Sequence, residues 1–154
     1  MKKKIKFILI GLVVLFVLIQ LYRPERISTN EISPDHITNK ITVPANVRSI
    51  LERSCYDCHS NHTKWPWYSN VAPVSWLVID DVKEGRSKMN FSEWGKLSPA
   101  KQELRLENIC EEITEGKMPL PNYLLIHKEA ELTQSDKDIL CKWSQSMADS
   151  LSSK

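Results

Sequence analysis

Residues 55–59 read Cys-Tyr-Asp-Cys-His, and no other string restricts this chain as strongly. Two thiols three positions apart can each bond to one of the two vinyl groups along one edge of a porphyrin. The histidine that follows is then drawn under the ring, where an imidazole nitrogen can ligate iron. Cys-x-x-Cys-His is for that reason the attachment signature of c-type haem. The preceding segment suits delivery of such a group to a core. Pro44 fits the first position of a helix. Val47, Ile50, Leu51 and the Ser54-Cys55 pair then recur at three- to four-residue spacing, which puts the apolar side chains and the first thiol on one helix face.

Other uses of the two cysteines are open. A dithiol redox motif belongs in a βαβ setting, which this chain lacks. Half a zinc site would need Cys110, Cys141, His62 or His127 to complete it, and none of these has tight chelating spacing. A plain disulfide is a further use. Composition narrows the field. Without Lys2, Lys3, Lys4 and Lys6, 17 basic residues face 19 acidic ones, a net charge near −2. That excludes a strongly basic body and hence a nucleic-acid partner. No glycine-rich phosphate loop occurs.

The lysine cluster precedes an apolar run, Phe7 to Ile19, followed by Gln20, Leu21, Tyr22 and Arg23. As a helix, 7–22 would span roughly 24 Å, short of the ~30 Å hydrocarbon core unless Lys6 and Arg23 snorkel outward. No small-x-small cleavage site follows, so residues 1–22 are expected to be an uncleaved signal anchor rather than a removed leader. The positive-inside bias would place the rest of the chain on the exported, periplasmic side of the cytoplasmic (inner) membrane, as a single-pass protein. Haem is attached to such motifs on that side. Residues 23–43, polar and holding Pro24 and Pro34, are expected to be a tether with at most one weak strand near 41–43. The folded domain is expected over 44–150.

A second iron ligand is sought among Met89, Met118, Met147, His36, His62 and His127. Met118 stands out. Ser98 and Pro99 start a helix whose face is Leu106, Ile109, Cys110 and Ile113, and Gly116 is placed to end it. Met118 then sits in a loop stiffened by Pro119 and Pro121, able to offer sulfur opposite His59. His127 is the rival, and an open sixth position is the third case. Trp65, Trp67 and Tyr68 belong to an aromatic-rich loop over 60–72, where Pro66 and Pro73 break regular structure, suited to a haem wall or to core filling. A helix over 74–85, ending at Gly85, is followed by Arg86 and Lys88, candidates for pairing haem propionates. The final helix starts at Thr133 with a Thr-x-x-Asp box and carries Ile139, Leu140, Trp143 and Met147. Cys110 and Cys141 could form a disulfide between the last two long helices.

The order of these features resembles monohaem class I cytochrome c. More closely, Cys-Tyr-Asp-Cys-His-Ser-Asn, Trp-Pro-Trp-Tyr-Ser-Asn, Ala-Pro-Val-Ser-Trp and Asn-Phe-Ser-Glu-Trp resemble the bacterial haem-binding domain family of small anchored proteins, over about residues 40–148. The resemblance implies one covalent haem c on Cys55 and Cys58 with His59 ligating. The expectation is an all-α, cytochrome c-like domain behind a transmembrane anchor. It would be an electron carrier rather than an enzyme, with His59/Met118 iron and membrane or periplasmic redox proteins as partners. The competing function is a haem sensor or small peroxidase with an open or displaceable sixth site.

Overall fold

Helical apolar spacing dominates the chain. In the computed structural model, which describes residues 2–153, 68% of the chain is helical and no strand occurs among the described residues. In chain order the helices are α1 (Lys2–Ile19), α2 (Ile37–Lys40), α3 (Ala45–Ser54), α4 (Tyr56–His59), α5 (Val74–Lys88), α6 (Pro99–Thr114), α7 (Pro121–Leu124) and α8 (Gln134–Ser152). Short 3₁₀ turns cover Trp67–Asn70, Phe91–Lys96 and Lys128–Ala130.

The N-terminal expectation is corrected. α1 opens with Lys2, Lys3, Lys4 and Lys6, and its unbroken apolar part, Phe7–Ile19, rises only about 20 Å. No helix among the described residues is long and apolar enough to cross a membrane. The expected transmembrane anchor over 1–22, and with it the single-pass inner-membrane placement, therefore fails; Met1 of that segment lies outside the described residues. Just past the end of the helix, Gln20 ties the chain to the body. Its side-chain amide donates to the Ala72 carbonyl at 3.1 Å and accepts from the Ala72 N–H at 2.9 Å. Trp76 Nε1 donates to the Tyr22 carbonyl at 3.0 Å.

The segment 23–43 is folded onto the body rather than hanging as a tether. Ile37 is fully buried, and Ile41 and Val43 pack on the core. Backbone bonds Thr29 N–H to Asn61 O (2.8 Å) and Gly95 N–H to Asp35 O (2.8 Å) hold it in place. Trp143 Nε1 donates to Thr42 O at 2.9 Å. Isolated apolar residues such as Ile37 carry no period, so their burial is a tertiary matter.

The core gathers Val47, Ile50 and Leu51 of α3, Leu106, Ile109 and Ile113 of α6, and Leu140 and Trp143 of α8 around Phe91 and Trp94. α6 and α8 pack side by side, joined by the Cys110–Cys141 disulfide. The Thr133–Asp136 capping box starts α8, and Arg53 at the end of α3 reaches Asp136 Oδ2 at 3.0 Å. α6 ends in a Schellman turn: Gly116 takes φ +70, Lys117 N–H reaches Glu112 O at 3.0 Å, and Gly116 N–H reaches Ile113 O.

α5 runs through Gly85 to Lys88 instead of ending at the glycine. A Cβ there would stand 2.8 Å from the Cys58 carbonyl oxygen. Gly85 is thus required by the close approach of α4, not by a helix stop.

Candidate functional site

The motif spans a break in the helix. α3 ends at Ser54, Cys55 takes φ −128 and ψ −39, and α4 restarts at Tyr56. Cys55 N–H still bonds Leu51 O at 2.9 Å, so the turn is tight and both cysteines face the same side. That side is a cavity of about 540 Å³ lined by Cys55, Cys58, His59 and Met118. Its volume lies within the roughly 300–1,000 Å³ of ligand cavities. Leu51, Phe91, Ile109, Ile113 and Leu132 make its apolar wall.

Both thiols are free. Burial, then the neighbouring Cys58, pushes the Cys55 thiol up to about 12, and burial with Asp57 and Asp81 pushes Cys58 up to about 11. Each is held as the neutral thiol. His59 is held below its ordinary imidazole range, chiefly by burial, against the opposing pull of the Met89 and Gly85 carbonyls. Its Nδ1 lies 3.0 Å from the Met89 carbonyl. A carbonyl only accepts, so the proton sits on Nδ1 and Nε2 carries the lone pair.

The cavity thus brings together four of the residues expected from sequence: Cys55, Cys58, His59 and Met118. It does not bring in the aromatic loop. Trp65 lies under Arg26, with the guanidinium 5.7 Å from its ring centroid. Trp67 is 77% exposed. Tyr68 is turned to His127, its hydroxyl 2.6 Å from Nε2. None of the three lines the cavity. The prolines on either side hold the loop in a 3₁₀ turn on the outside of the body.

The other expected ligands are also placed. His127 accepts the Tyr68 hydroxyl at Nε2 and donates from Nδ1 to Glu129 at 2.9 Å. His62 donates from Nδ1 to Thr29 O at 2.8 Å, and its ring meets His36, which is buried against Tyr56 rather than solvated. Met147 packs on the core. Arg86 does not reach the cavity. It ties Ser60 O (2.8 Å), Ile27 O (2.7 Å) and Thr63 Oγ1 (2.8 Å) together. Lys88 does line the cavity, joined by Arg105, which the sequence reading passed over. Arg105 was findable: it lies one helical turn before Ile109 on the same face. Tyr123 was missed too. It lines the cavity and its hydroxyl donates to Asp57 Oδ2 at 2.9 Å, anchoring the residue between the two cysteines. Nothing in the sequence pairs positions 57 and 123.

The zinc alternative falls away. Cys110 and Cys141 are bonded to each other, and among the described residues no group of three or more His, Cys, Asp and Glu is arranged to hold a metal ion. What the cavity offers fits a haem instead. There is an edge of two thiols, an imidazole with its far nitrogen oriented, a thioether, apolar walls for a flat macrocycle, and Lys88 and Arg105 for its carboxylates.

No curated protein and no solved structure matches the chain. The sequence model of one family, described as a haem-binding domain, matches residues 14–146. With a match that covers most of the chain and includes this cavity, the protein belongs to the haem-binding domain family.

Proposed function

We propose that the chain bonds one haem c through Cys55 and Cys58, that His59 Nε2 and the Met118 thioether would hold its iron, and that the protein passes single electrons between redox proteins. The observation that carries this is the convergence of both free thiols, the oriented imidazole and Met118 on one apolar cavity. When bound, haem supplies an iron that alternates between ferric and ferrous states, a one-electron change.

The chain's own residues do the rest. The Met89 carbonyl fixes the tautomer and rotation of His59 through one hydrogen bond, worth about 1 kcal/mol net. The Schellman turn sets the start of the Met118 loop, and Met118 N–H donates to Glu112 O at 3.1 Å. Leu51, Phe91, Ile109 and Leu132 give the cavity an apolar wall, which would suit a thioether donor. A carrier rather than a catalyst is supported by the two donors in one cavity, since both His59 and Met118 would be taken up in holding the iron. The Cys110–Cys141 disulfide supports maturation in oxidising surroundings.

The test is the full chain made in a host able to attach haem. Haem should stay with the polypeptide after acid-acetone extraction and give a sharp low-spin reduced spectrum. Replacing both Cys55 and Cys58 by Ala should release it. Met118→Ala should turn the spectrum high-spin and admit carbon monoxide. Attached haem that binds carbon monoxide readily in the wild type would replace electron transfer by the sensor or peroxidase reading. An extractable haem would sink the covalent attachment.

A further inference from the structure

Behind one wall of the cavity lies a polar cluster that electron transfer does not by itself require. Tyr123 lines the cavity, and the His127 ring stacks on it with centroids 4.2 Å apart and 12° between planes. His127 Nδ1 stands 2.9 Å from Glu129 Oε1, a carboxylate that accepts, so the ring proton sits on Nδ1. Nε2 then accepts from the Tyr68 hydroxyl at 2.6 Å. The His127 side chain is 19% exposed and that of Glu129 is 66% exposed. A sheltered base with a lone pair, a carboxylate to pair its cation, a hydroxyl able to reverse its hydrogen bond and an outlet to water are the parts of a proton-binding site.

We propose that His127 is a redox-linked proton site, taking up one proton from solvent when the haem cavity gains one electron. This rests on the electron-transfer reading above. The balance is simple. One electron enters from an external one-electron donor, and one solvent proton binds Nε2. The imidazolium keeps its Nδ1–H on Glu129 and now donates Nε2–H to Tyr68 Oη, whose own hydrogen turns away. Oxidation reverses each step.

Two features favour the charged ring after reduction. Glu129 pairs it, and the stacked Tyr123 offers a π face to a cation. The groups around it are Glu129 and the adjacent Lys128 on its own turn, Tyr123 of α7, Tyr68 of the 3₁₀ turn at Trp67–Asn70, and Asp57 of α4 beyond Tyr123. Only one tyrosine ring separates His127 from the cavity. An added negative charge there should raise its proton affinity by on the order of one pH unit. By linkage, proton binding raises the affinity for the electron by the same factor.

The experiment follows the His127 ring by NMR across pH in the haem-loaded chain, once oxidised and once reduced. His127→Gln identifies the resonance. The midpoint potential of both proteins is measured over the same range. Expected is a His127 titration about one pH unit higher in the reduced state. The potential of the wild type should fall with pH between the two titrations, by up to about 59 mV per tenfold change in proton concentration. His127→Gln should flatten that window. Equal titrations in the two states, or a slope that survives His127→Gln, would overturn the proposal; the wild-type titration decides even where the variant fails to fold. A chain without haem is a separate failure, seen in the absorption spectrum beforehand, and it removes the electron-transfer reading and this proposal together.

Discussion

The molecule has two unlike sides. On one, α6 and α8 lie together along most of their length, share the Leu106, Ile109, Leu140 and Trp143 core, and are joined by a disulfide. On the other, α4 is a single turn that rests on α5 at a bare glycine and is held by discrete hydrogen bonds. These run from His59 Nδ1 to the Met89 carbonyl, from the Tyr123 hydroxyl to Asp57 Oδ2 and from Thr63 Oγ1 to the Asp57 carbonyl (2.7 Å). The first side is a scaffold made by area and a covalent bond. The second carries Cys58 and His59, and hydrogen bonds fix its geometry because four residues bury too little surface to fix themselves. Most of the packing thus lies apart from the short turn that holds Cys58 and His59.

Breaking the scaffold side should cost most in stability and least in chemistry. Replacing Cys110 and Cys141 together by Ser removes a crosslink spanning 31 residues and should cost about 3 kcal/mol in urea unfolding. The absorption spectrum of the folded variant should stay that of the wild type. A changed spectrum would show that the two sides are coupled.

The chemical side should respond the other way. Gly85→Ala places a carbon 2.8 Å from the Cys58 carbonyl and should cost about 1–3 kcal/mol. It should also disturb the axial bands of attached haem, because Cys58 and His59 must shift with the backbone. Loss of stability with untouched bands would mean that α5 yields instead of α4.

The smallest expected effect sharpens the contrast through pH. His36, packed on Tyr56 of α4, is held below its ordinary 6.5 by burial first, then by His62 and Arg48. The unfolded chain therefore binds this proton first as pH falls. The stability that the neutral ring confers is complete above about pH 6.5 and declines below it. Unfolding of haem-loaded protein at pH 5 and pH 7.5 should show the decline, and His36→Gln should reduce it. A decline of equal size in the variant would place the titrating group elsewhere.

Much of the helical body was legible along the chain. The periodic faces of α3, α6 and α8, the Thr133 box and the glycine after α6 are local signals, and the helices they announce are present. Cys55, Cys58 and His59 were named from motif spacing and Met118 from its place after a glycine-ended helix, and the structure brings the four to one cavity. The aromatic loop misled for a physical reason. Trp65, Trp67 and Tyr68 are chemically suited to a haem wall, but composition does not say which way a proline-bounded turn faces. The apolar N-terminal run misled because its four lysines fall within the same helix and leave too short an apolar rise.

By itself, then, the sequence determined what depends on neighbours in the chain: helix starts and stops, the spacing of two thiols and a histidine, and a methionine just past a glycine-ended helix. Only the tertiary structure decided what depends on approach between distant segments. It put residues 23–43 onto the core, made Gly85 a contact instead of a terminus, chose the Met89 carbonyl to orient His59, and set Tyr123 against Asp57. Helix periodicity is written every three or four residues, whereas a hydrogen bond between positions 57 and 123 exists only once packing has closed the distance.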